Sequence, residues 1–257
     1  MTEILNTVSN GEGSGTPLLI AHGLFGTARN WGVLAKRLAD ERQVVSVDMR
    51  NHGSSFRAAS NTYMDMAGDL ARVIENGGDS ADVLGHSMGG KTAMTLALSR
   101  PELVAKLIVA DIAPIGYSHS QLDKITAMKA VDLSVVQRRR DAEEQLVDTV
   151  ADPALRSFLL QSLTLGEGGA SWKLNLDALG AAMDDVIGFP NIEGVFEGEV
   201  LFLHGGNSDY VQPAHHERIL TLFPNARFEA IEGAGHWLHA EKPREFEAAV
   251  RGFLGTT

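Results

Sequence analysis

The sequence predicts an α/β protein in which a mostly parallel sheet carries helices on both faces. Short apolar runs, as at residues 17–21, 44–49 and 106–110, alternate with longer segments of helical periodicity. The runs are largely apolar without a strict alternation of polar and apolar residues, which is typical of strands that are buried on both faces. Glycine and polar residues follow several of these runs, at the strand ends where parallel sheets gather their functional groups.

Composition limits the classes of function that the chain can have. Its 257 residues, 44% of them hydrophobic, are enough for one domain with a sizeable core. The net charge of −11 opposes binding to nucleic acid or to an anionic lipid surface. The absence of cysteine excludes disulfides, thiolate metal ligands and a cysteine nucleophile.

Neither a secretory signal nor a membrane helix is predicted. The first residues lack a basic segment followed by a long apolar one, and no apolar run approaches the roughly 20 residues of a membrane span. We therefore expect a cytoplasmic protein whose partner is a small molecule, with no nucleic acid and no membrane. The sequence predicts no particular oligomeric state.

Strands and helices alternate along the first part of the chain. The helical segments have apolar residues three or four positions apart, which gives each helix one apolar face. Asn30 and Thr62 are at the predicted helix starts, and Pro101 ends the third helix. In order, the predicted elements are strands at 4–8 and 17–21 separated by a glycine-rich turn, a helix after Asn30, a strand at 44–49, a helix at 62–75, a strand at 81–84, a helix at 91–99 and a strand at 106–110.

The alternation breaks between residues 114 and 198, which contain many helical runs and no obvious strand. We interpret this stretch as a helical lid on the sheet, so the predicted core is 1–114 and 198–257 and the predicted lid is 115–197. The alternation then resumes with a strand at 200–204, a helix at 213–222, a strand at 226–231 and a last helix from Pro243.

The motif around which the chain is organised is Gly-His-Ser-Met-Gly-Gly at residues 85–90. It has the pattern G-x-S-x-G between a predicted strand and a predicted helix, which is the context of a nucleophile elbow. Glycines are needed there because a side chain would collide with the neighbouring strand or helix, and the tight turn exposes the hydroxyl of Ser87. The pattern is short, so Ser87 taken alone is equally compatible with a turn serine that caps a helix.

Candidate partners for Ser87 follow other strands. A serine hydroxyl attacks a carbonyl efficiently only when a neighbouring base accepts its proton. His236, in a glycine-rich loop after a strand, is the candidate base, and a carboxylate on its far ring nitrogen would fix its tautomer. The negative oxygen formed during attack needs fixed N–H donors, and the candidates are the amides of Met88 and Leu24.

Seven segments spread along the chain resemble those of the α/β-hydrolase superfamily, and more narrowly those of small bacterial esterases and mitochondrial abhydrolase-domain relatives. The resemblance implies a carboxylic ester hydrolase with a helical lid inserted after the sixth strand. It also implies an acyl-enzyme formed from short to medium acyl esters, without a cofactor. The matching segments are residues 21–26, 48–55, 85–91, 109–114, 172–177, 205–208 and 233–239.

The acid of the catalytic triad has two main candidates. Asp209 follows the strand after the lid, where most α/β-hydrolases carry their acid. Asp111 follows the strand after the elbow helix, as in some haloalkane dehalogenases, and the closer esterase relatives resemble this second arrangement. We favour Asp111 and keep Asp209 as the alternative. Asp177 in the lid is a weaker third candidate, because a lid helix is a less rigid support.

Other polar or aromatic residues have simpler interpretations. Asp48 and His52 are expected to tie the turn beside the loop that contains Leu24. Trp172 and the lid methionines are expected in the core. His215 and His216 are expected to form an exposed pair without a partner at metal-ligand spacing, so no metal site is predicted.

Two other classes of function use the same residues. The same triad serves thioesterases, amidases and cofactor-free perhydrolases. A non-enzymatic binding module on a hydrolase fold is the remaining alternative, and the presence of both Ser87 and His236 favours an enzyme.

Overall fold

The computed structural model describes residues 3–255; residues 1–2 and 256–257, at the two ends of the predicted core segments, lie outside the described residues. The strands are β1 (Thr7–Ala21), β2 (Arg42–Val47), β3 (Ala81–His86), β4 (Val104–Ala110), β5 (Leu163–Gly166), β6 (Gly169–Trp172), β7 (Glu199–Gly205) and β8 (Ala226–Ile231). The α-helices are α1 (Gly32–Leu38), α2 (Tyr63–Gly77), α3 (Met88–Ser99), α4 (Leu122–Ala130), α5 (Arg139–Leu146), α6 (Pro153–Leu160), α7 (Leu176–Ala181), α8 (Met183–Ile187), α9 (His216–Leu222), α10 (Leu238–Glu241) and α11 (Pro243–Leu254). Short 3-10 helices cover Ala28–Trp31, Pro101–Leu103, Leu133–Val135 and Pro213–His215.

The central sheet has the strand order β2-β1-β3-β4-β7-β8. The pairs β1–β3, β3–β4, β4–β7 and β7–β8 are all parallel. The predicted α/β fold with a mostly parallel sheet is therefore confirmed. Parallel pairing brings the carboxyl ends of β3, β4, β7 and β8 to one edge of the sheet, and the candidate catalytic residues follow these ends.

Each face of the sheet is covered by an apolar cluster. Along β4, Leu107 and Val109 belong to one cluster, while Ile108 and Ala110 belong to the other. This alternation is the two-residue period of a strand. Buried residues of α2, α3 and α9 share the cluster of Leu107, and those of α1 and α11 share the cluster of Ile108. Burial on both faces explains the continuous apolar runs of the sequence.

The amino-terminal strand differs from its prediction. Strands were predicted at 4–8 and 17–21 with a turn between them, whereas β1 extends from Thr7 to Ala21 with register shifts in its middle. The pairing partners of residues 7–10 run backwards along β2 from Val47, and those of residues 18–21 run forwards from Val44. The predicted turn therefore corresponds to the middle of β1, where the direction of its pairing along β2 reverses.

Residues 111–198, called the insertion below, separate β4 from β7 and contain helices α4 to α8. The insertion also contains an antiparallel hairpin of β5 and β6, although no strand was predicted there. The hairpin strands are only four residues each, with glycines around the turn, and Leu163 and Trp172 are their only buried residues, so they lack the apolar run of a buried strand. Among the described residues, the insertion follows the fourth strand in chain order, not the sixth, because β1 to β4 precede it.

Hydrogen bonds attach the insertion to the core beside the carboxyl edge of the sheet. The amide of Asn175 donates to the carbonyl of Asn51 at 2.9 Å. The hydroxyl of Tyr63 on α2 donates to the carbonyl of Val186 on α8 at 2.7 Å. Trp172 is buried and its indole N–H donates to a main-chain carbonyl at 3.0 Å, as expected of a core residue. Within residues 3–255, no helix combines the length and the apolar character needed to cross a bilayer.

Candidate active site

Ser87 occupies a strained turn between β3 and α3. Its φ of 53° and ψ of −118° lie outside the usual regions for a residue with a side chain, a conformation that costs about 1–3 kcal/mol. Its amide donates to the carbonyl of Ala110 at 3.0 Å, and its carbonyl accepts from the amide of Lys91 at 3.0 Å. Ser87 is half-buried whereas its neighbours in β3 and α3 are buried, so the turn presents the serine at the surface of a depression.

Two glycines allow this turn to pack against the sheet. A β-carbon on Gly85 would collide with the carbonyl oxygen of Gly89. A β-carbon on Gly89 would collide with the carbonyl of Ala21 and come within 2.6 Å of that of His22. The close approach of α3 to β1 and β3 therefore requires glycine at both positions.

His236 follows β8 and has several fixed contacts. Its Nδ1 lies 2.7 Å from Oδ2 of Asp111. Its main-chain carbonyl accepts a hydrogen bond from Nε2 of His86 at 2.9 Å. Its ring stacks on that of Tyr210, with ring centres 4.1 Å apart. These contacts fix both the loop and the orientation of the imidazole.

Asp111 comes directly after β4, has a φ of 53° and is fully buried. Its Oδ1 accepts from the amide of Gly205 at 3.0 Å, and its Oδ2 accepts from the hydroxyl of Ser208 at 2.5 Å. A carboxylate without solvent needs hydrogen-bond donors, and these two groups and His236 supply them. The structure therefore brings Asp111 and His236 together.

The other two candidate acids have different surroundings. Asp209 is exposed, and its Oδ1 accepts from the side-chain amide of Gln212 at 3.2 Å. Asp177 is exposed and pairs with Lys129 at 2.5 Å. In the part of the chain that the structure describes, neither carboxylate is hydrogen-bonded to His236.

The loop at residues 22–26 passes beside the serine. A β-carbon on Gly23 would come within 3.1 Å of the β-carbon of Ser87. The amide of Gly26 donates to the carbonyl of Gly23 at 3.0 Å, which closes the loop around Leu24. Leu24 and Met88, the predicted donors to the negative oxygen, both line the same cavity as Ser87.

A buried histidine holds the start of this loop. Nε2 of His22 accepts from the amide of Met49 at 3.0 Å, so its Nδ1 carries the proton and donates to the carbonyl of Gly23 at 2.8 Å. Burial lowers the pKa of His22, so the ring is neutral near neutral pH.

His52 and Asp48 hold the rest of the loop from the turn after β2. Nε2 of His52 accepts from the amide of Phe25 at 3.3 Å, and its Nδ1 donates to the carbonyl of Arg50 at 2.8 Å. Burial lowers the pKa of His52 to about 3. Oδ1 of Asp48 accepts from the amide of Ala28 at 2.8 Å. Oδ2 of Asp48 also accepts from the amide of Ser54 at 2.8 Å, so Asp48 and His52 tie the turn beside the loop, as the sequence predicted.

Ser87 and His236 line one cavity of about 310 Å³ between the carboxyl edge of the sheet and the insertion. A small cavity with mostly apolar walls and a few polar groups is typical of a small-molecule site. The apolar and aromatic wall includes Leu24, Phe25, Tyr63, Met88, Ile112, Tyr117, Leu155, Phe158, Val186, Ile187, Tyr210 and Trp237.

Lys91 is the lining residue that sequence reasoning missed. It is one helical turn beyond Ser87 and only 1% exposed. Its Nζ donates to the carbonyls of Ile187 at 2.9 Å and Gly188 at 2.5 Å, and burial lowers its pKa to about 7. Periodicity does not mark Lys91 in the sequence, because nearly every residue of α3 is buried.

The histidine pair on the segment before β8 is less exposed than expected. His215 and His216 are half-buried; Nδ1 of His215 accepts from the amide of Gln212 at 3.1 Å, and the ring of His216 stacks on Phe228 with centres 3.9 Å apart. Among residues 3–255, no group of three or more histidines and carboxylates has the geometry to hold a metal ion.

Comparison with known proteins defines the class of this chain. The family model described as the alpha/beta hydrolase family matches residues 18–249. The chain therefore belongs to the alpha/beta hydrolase family, and the predicted superfamily and fold are confirmed.

Particular relatives include both bacterial esterases and a mammalian abhydrolase. The mouse sn-1-specific diacylglycerol lipase ABHD11 is 42% identical over 254 residues, which are 95% of this chain and 83% of the relative. Esterase YbfF of Escherichia coli is 38% identical over 241 residues, which are 93% of each chain. A solved structure described as a marine microorganism esterase has a TM-score of 0.94 at 39% identity and covers 98% of this chain and 100% of its own. The predicted resemblance to both groups is confirmed.

Proposed function

We propose that the protein is a serine carboxylic ester hydrolase that works through an acyl-enzyme on esters of short to medium acyl chains. Two of the similar proteins above are named esterases and the mouse relative is named a lipase, and the chain is accordingly an ester-hydrolysing member of its family. The observation that carries the proposed mechanism is the 2.7 Å contact between Asp111 and His236, beside a cavity that His236 and Ser87 share.

In the first step, the hydroxyl oxygen of Ser87 attacks the ester carbonyl carbon while Nε2 of His236 takes its proton. Asp111 holds the proton on Nδ1 of His236, which leaves Nε2 free to act as the base, and stabilises the imidazolium that forms. The carbonyl oxygen becomes negative, and the amides of Leu24 and Met88 donate to it.

In the second step, the tetrahedral intermediate expels the alcohol and Nε2 of His236 gives the proton to the leaving oxygen. An acyl group then remains on Ser87. A water molecule loses a proton to Nε2 as it attacks this acyl group. The intermediate then releases a carboxylic acid while Nε2 returns the proton to the oxygen of Ser87, which restores the free enzyme. These steps need no cofactor.

Ser87→Ala tests the proposal directly. With a chromogenic ester such as p-nitrophenyl butyrate, we expect kcat to fall by about 10⁴-fold or more, because the attacking oxygen is gone. Ser171→Ala, an exposed position of the β5–β6 hairpin, is the matched control and should keep wild-type kcat. Undiminished turnover by purified Ser87→Ala protein would contradict the proposal.

A further inference from the structure

Lys91 has an unusual place for a lysine. It lies in the first turn of α3, and its amide donates to the carbonyl of Ser87, the residue that precedes the helix, at 3.0 Å. Lys91 is 1% exposed and lines the same cavity as Ser87. It therefore contributes a buried amine to the wall of the cavity that Ser87 also lines.

The groups in contact with Nζ of Lys91 attract a positive charge, but they carry no negative charge that would neutralise it. Nζ donates to the carbonyls of Ile187 and Gly188, at the carboxyl end of α8. It also lies 4.8 Å from the ring centre of Tyr117 and 5.8 Å from that of Tyr63. Carbonyl oxygens and aromatic faces both attract a cation. No carboxylate among residues 3–255 forms an ion pair with Lys91, and burial alone accounts for its lowered pKa.

The amine also has more donors than the described residues use. An ammonium has three N–H donors, and two of them bind the carbonyls at the end of α8. No residue from 3 to 255 accepts the third. A hydrocarbon chain against the amine would exclude water without pairing this donor, which is unfavourable. An oxygen acceptor on a bound molecule would pair it, and a carboxylate would also balance the charge.

The part of the cavity around Lys91 is suited to the acyl chain of an ester. Because His236 protonates the leaving alcohol, the alcohol must lie against the wall formed by His236 and its stacking partner Tyr210. With the alcohol on that side, the lining left for the acyl chain includes Lys91, Tyr63 and Ile187.

Resting on the proposed function, we propose that Lys91 determines acyl specificity. It selects acyl chains that carry an oxygen acceptor, best a carboxylate, a few carbons beyond the ester carbonyl. It disfavours hydrocarbon chains of the same shape.

Three ethyl esters of matched shape test this assignment. The first is the monoethyl ester of glutaric acid; in the second an isopropyl group replaces the distal carboxylate, and in the third an acetyl group replaces it. We expect the wild type, below neutral pH, to have a higher kcat/KM for the first and third esters than for the second. Lys91→Met, which keeps the length of the side chain without its donors, should lower both preferences by about tenfold or more.

Control variants separate the possible outcomes. Lys36→Met on α1 is exposed and should keep the wild-type preferences. If Lys91→Met does not fold, Lys91→Gln retains neutral donors and should keep the preference for the acetyl ester while losing that for the carboxylate. Equal preferences in wild type and a folded Lys91 variant would overturn the assignment. A wild type inactive on these esters and on p-nitrophenyl butyrate would instead contradict the proposed function.

Discussion

At the residue scale, the hydrogen-bond donors around the carboxylate of Asp111 distinguish it from Asp209. Its carboxylate is fully buried, with the amide of Gly205, the hydroxyl of Ser208 and Nδ1 of His236 within 3.0 Å. Asp209 is exposed to water and binds only the side chain of Gln212 among the described residues. A carboxylate that orients an imidazole must hold it in one direction, and the surroundings of Asp111 are rigid enough to do so.

Replacing each aspartate by asparagine separates the two candidates. Asp111→Asn presents an amide N–H to Nδ1 of His236, which favours the tautomer with its proton on Nε2 and disables the base. We expect kcat to fall by about 10³–10⁴-fold, while Asp209→Asn stays within about twofold of wild type because surface substitutions have small effects. The measurement is kcat on p-nitrophenyl butyrate. A large loss of kcat in Asp209→Asn, together with a nearly wild-type kcat in Asp111→Asn, would show that Asp209 is the acid.

The sequence could nominate these residues but could not choose between them. Asp111 and Asp209 both follow strands of one parallel sheet, and β4 and β7 are neighbours in that sheet. The choice depends on where the loop after β8 carries His236, which is a tertiary contact with no local pattern. Lys91 was missed for a similar reason, because its helix is buried on nearly every side and periodicity does not mark which side meets the cavity.

At the scale of elements, the loop at residues 22–26 is held by the turn after β2. Nε2 of His52 accepts from the amide of Phe25 at 3.3 Å, and Nε2 of His22 accepts from that of Met49 at 3.0 Å. Both contacts require an unprotonated ring nitrogen. The position of Leu24 beside Ser87 therefore depends on buried neutral imidazoles.

This support makes the fold sensitive to acid. Burial lowers the pKa of His52 from 6.5 to about 3 in the folded protein. Between pH 3 and 6.5, His52 binds more protons in the unfolded chain than in the folded protein. Its contribution to the free energy of unfolding is therefore fully present above pH 6.5 and is lost as the pH drops towards 3. The slope is at most about 1.4 kcal/mol per pH unit for one histidine. In His52→Gln, whose amide oxygen can still accept from Phe25, we expect a shallower decrease in urea-unfolding free energy; parallel curves for the two proteins would contradict this account.

Elements with a strong apolar pattern were predictable, and those without one were not. The strands β3, β4 and β7 lie where largely apolar runs predicted them, because burial on both faces leaves a clear pattern. The β5–β6 hairpin was missed, because each strand has only four residues and a single buried one, Leu163 or Trp172, which leaves no apolar run. The glycines around Glu167 were the available turn signal.

At the scale of the whole molecule, the sheet topology brings distant residues together. Ser87, Asp111 and His236 follow β3, β4 and β8, whose carboxyl ends lie at one edge because the strands are parallel. The insertion closes the cavity over this edge, and Tyr63 and Lys91 attach it to α2 and α3. The topology followed from the alternation of strands and helices, whereas the packing of the insertion did not, because short amphipathic helices can present the same face to several neighbours.

The most direct test of the account is to find where a fluorophosphonate reacts. Such a probe forms a covalent phosphonyl ester only with a serine whose proton is removed by a neighbouring base. Intact-mass and peptide mass spectrometry should show one adduct on Ser87 in the wild type, none in Ser87→Ala, and labelling slower by about 10²-fold or more in His236→Ala. An adduct on another residue, or equal labelling of the wild type and Ser87→Ala, would contradict the claim that Ser87 is the activated nucleophile.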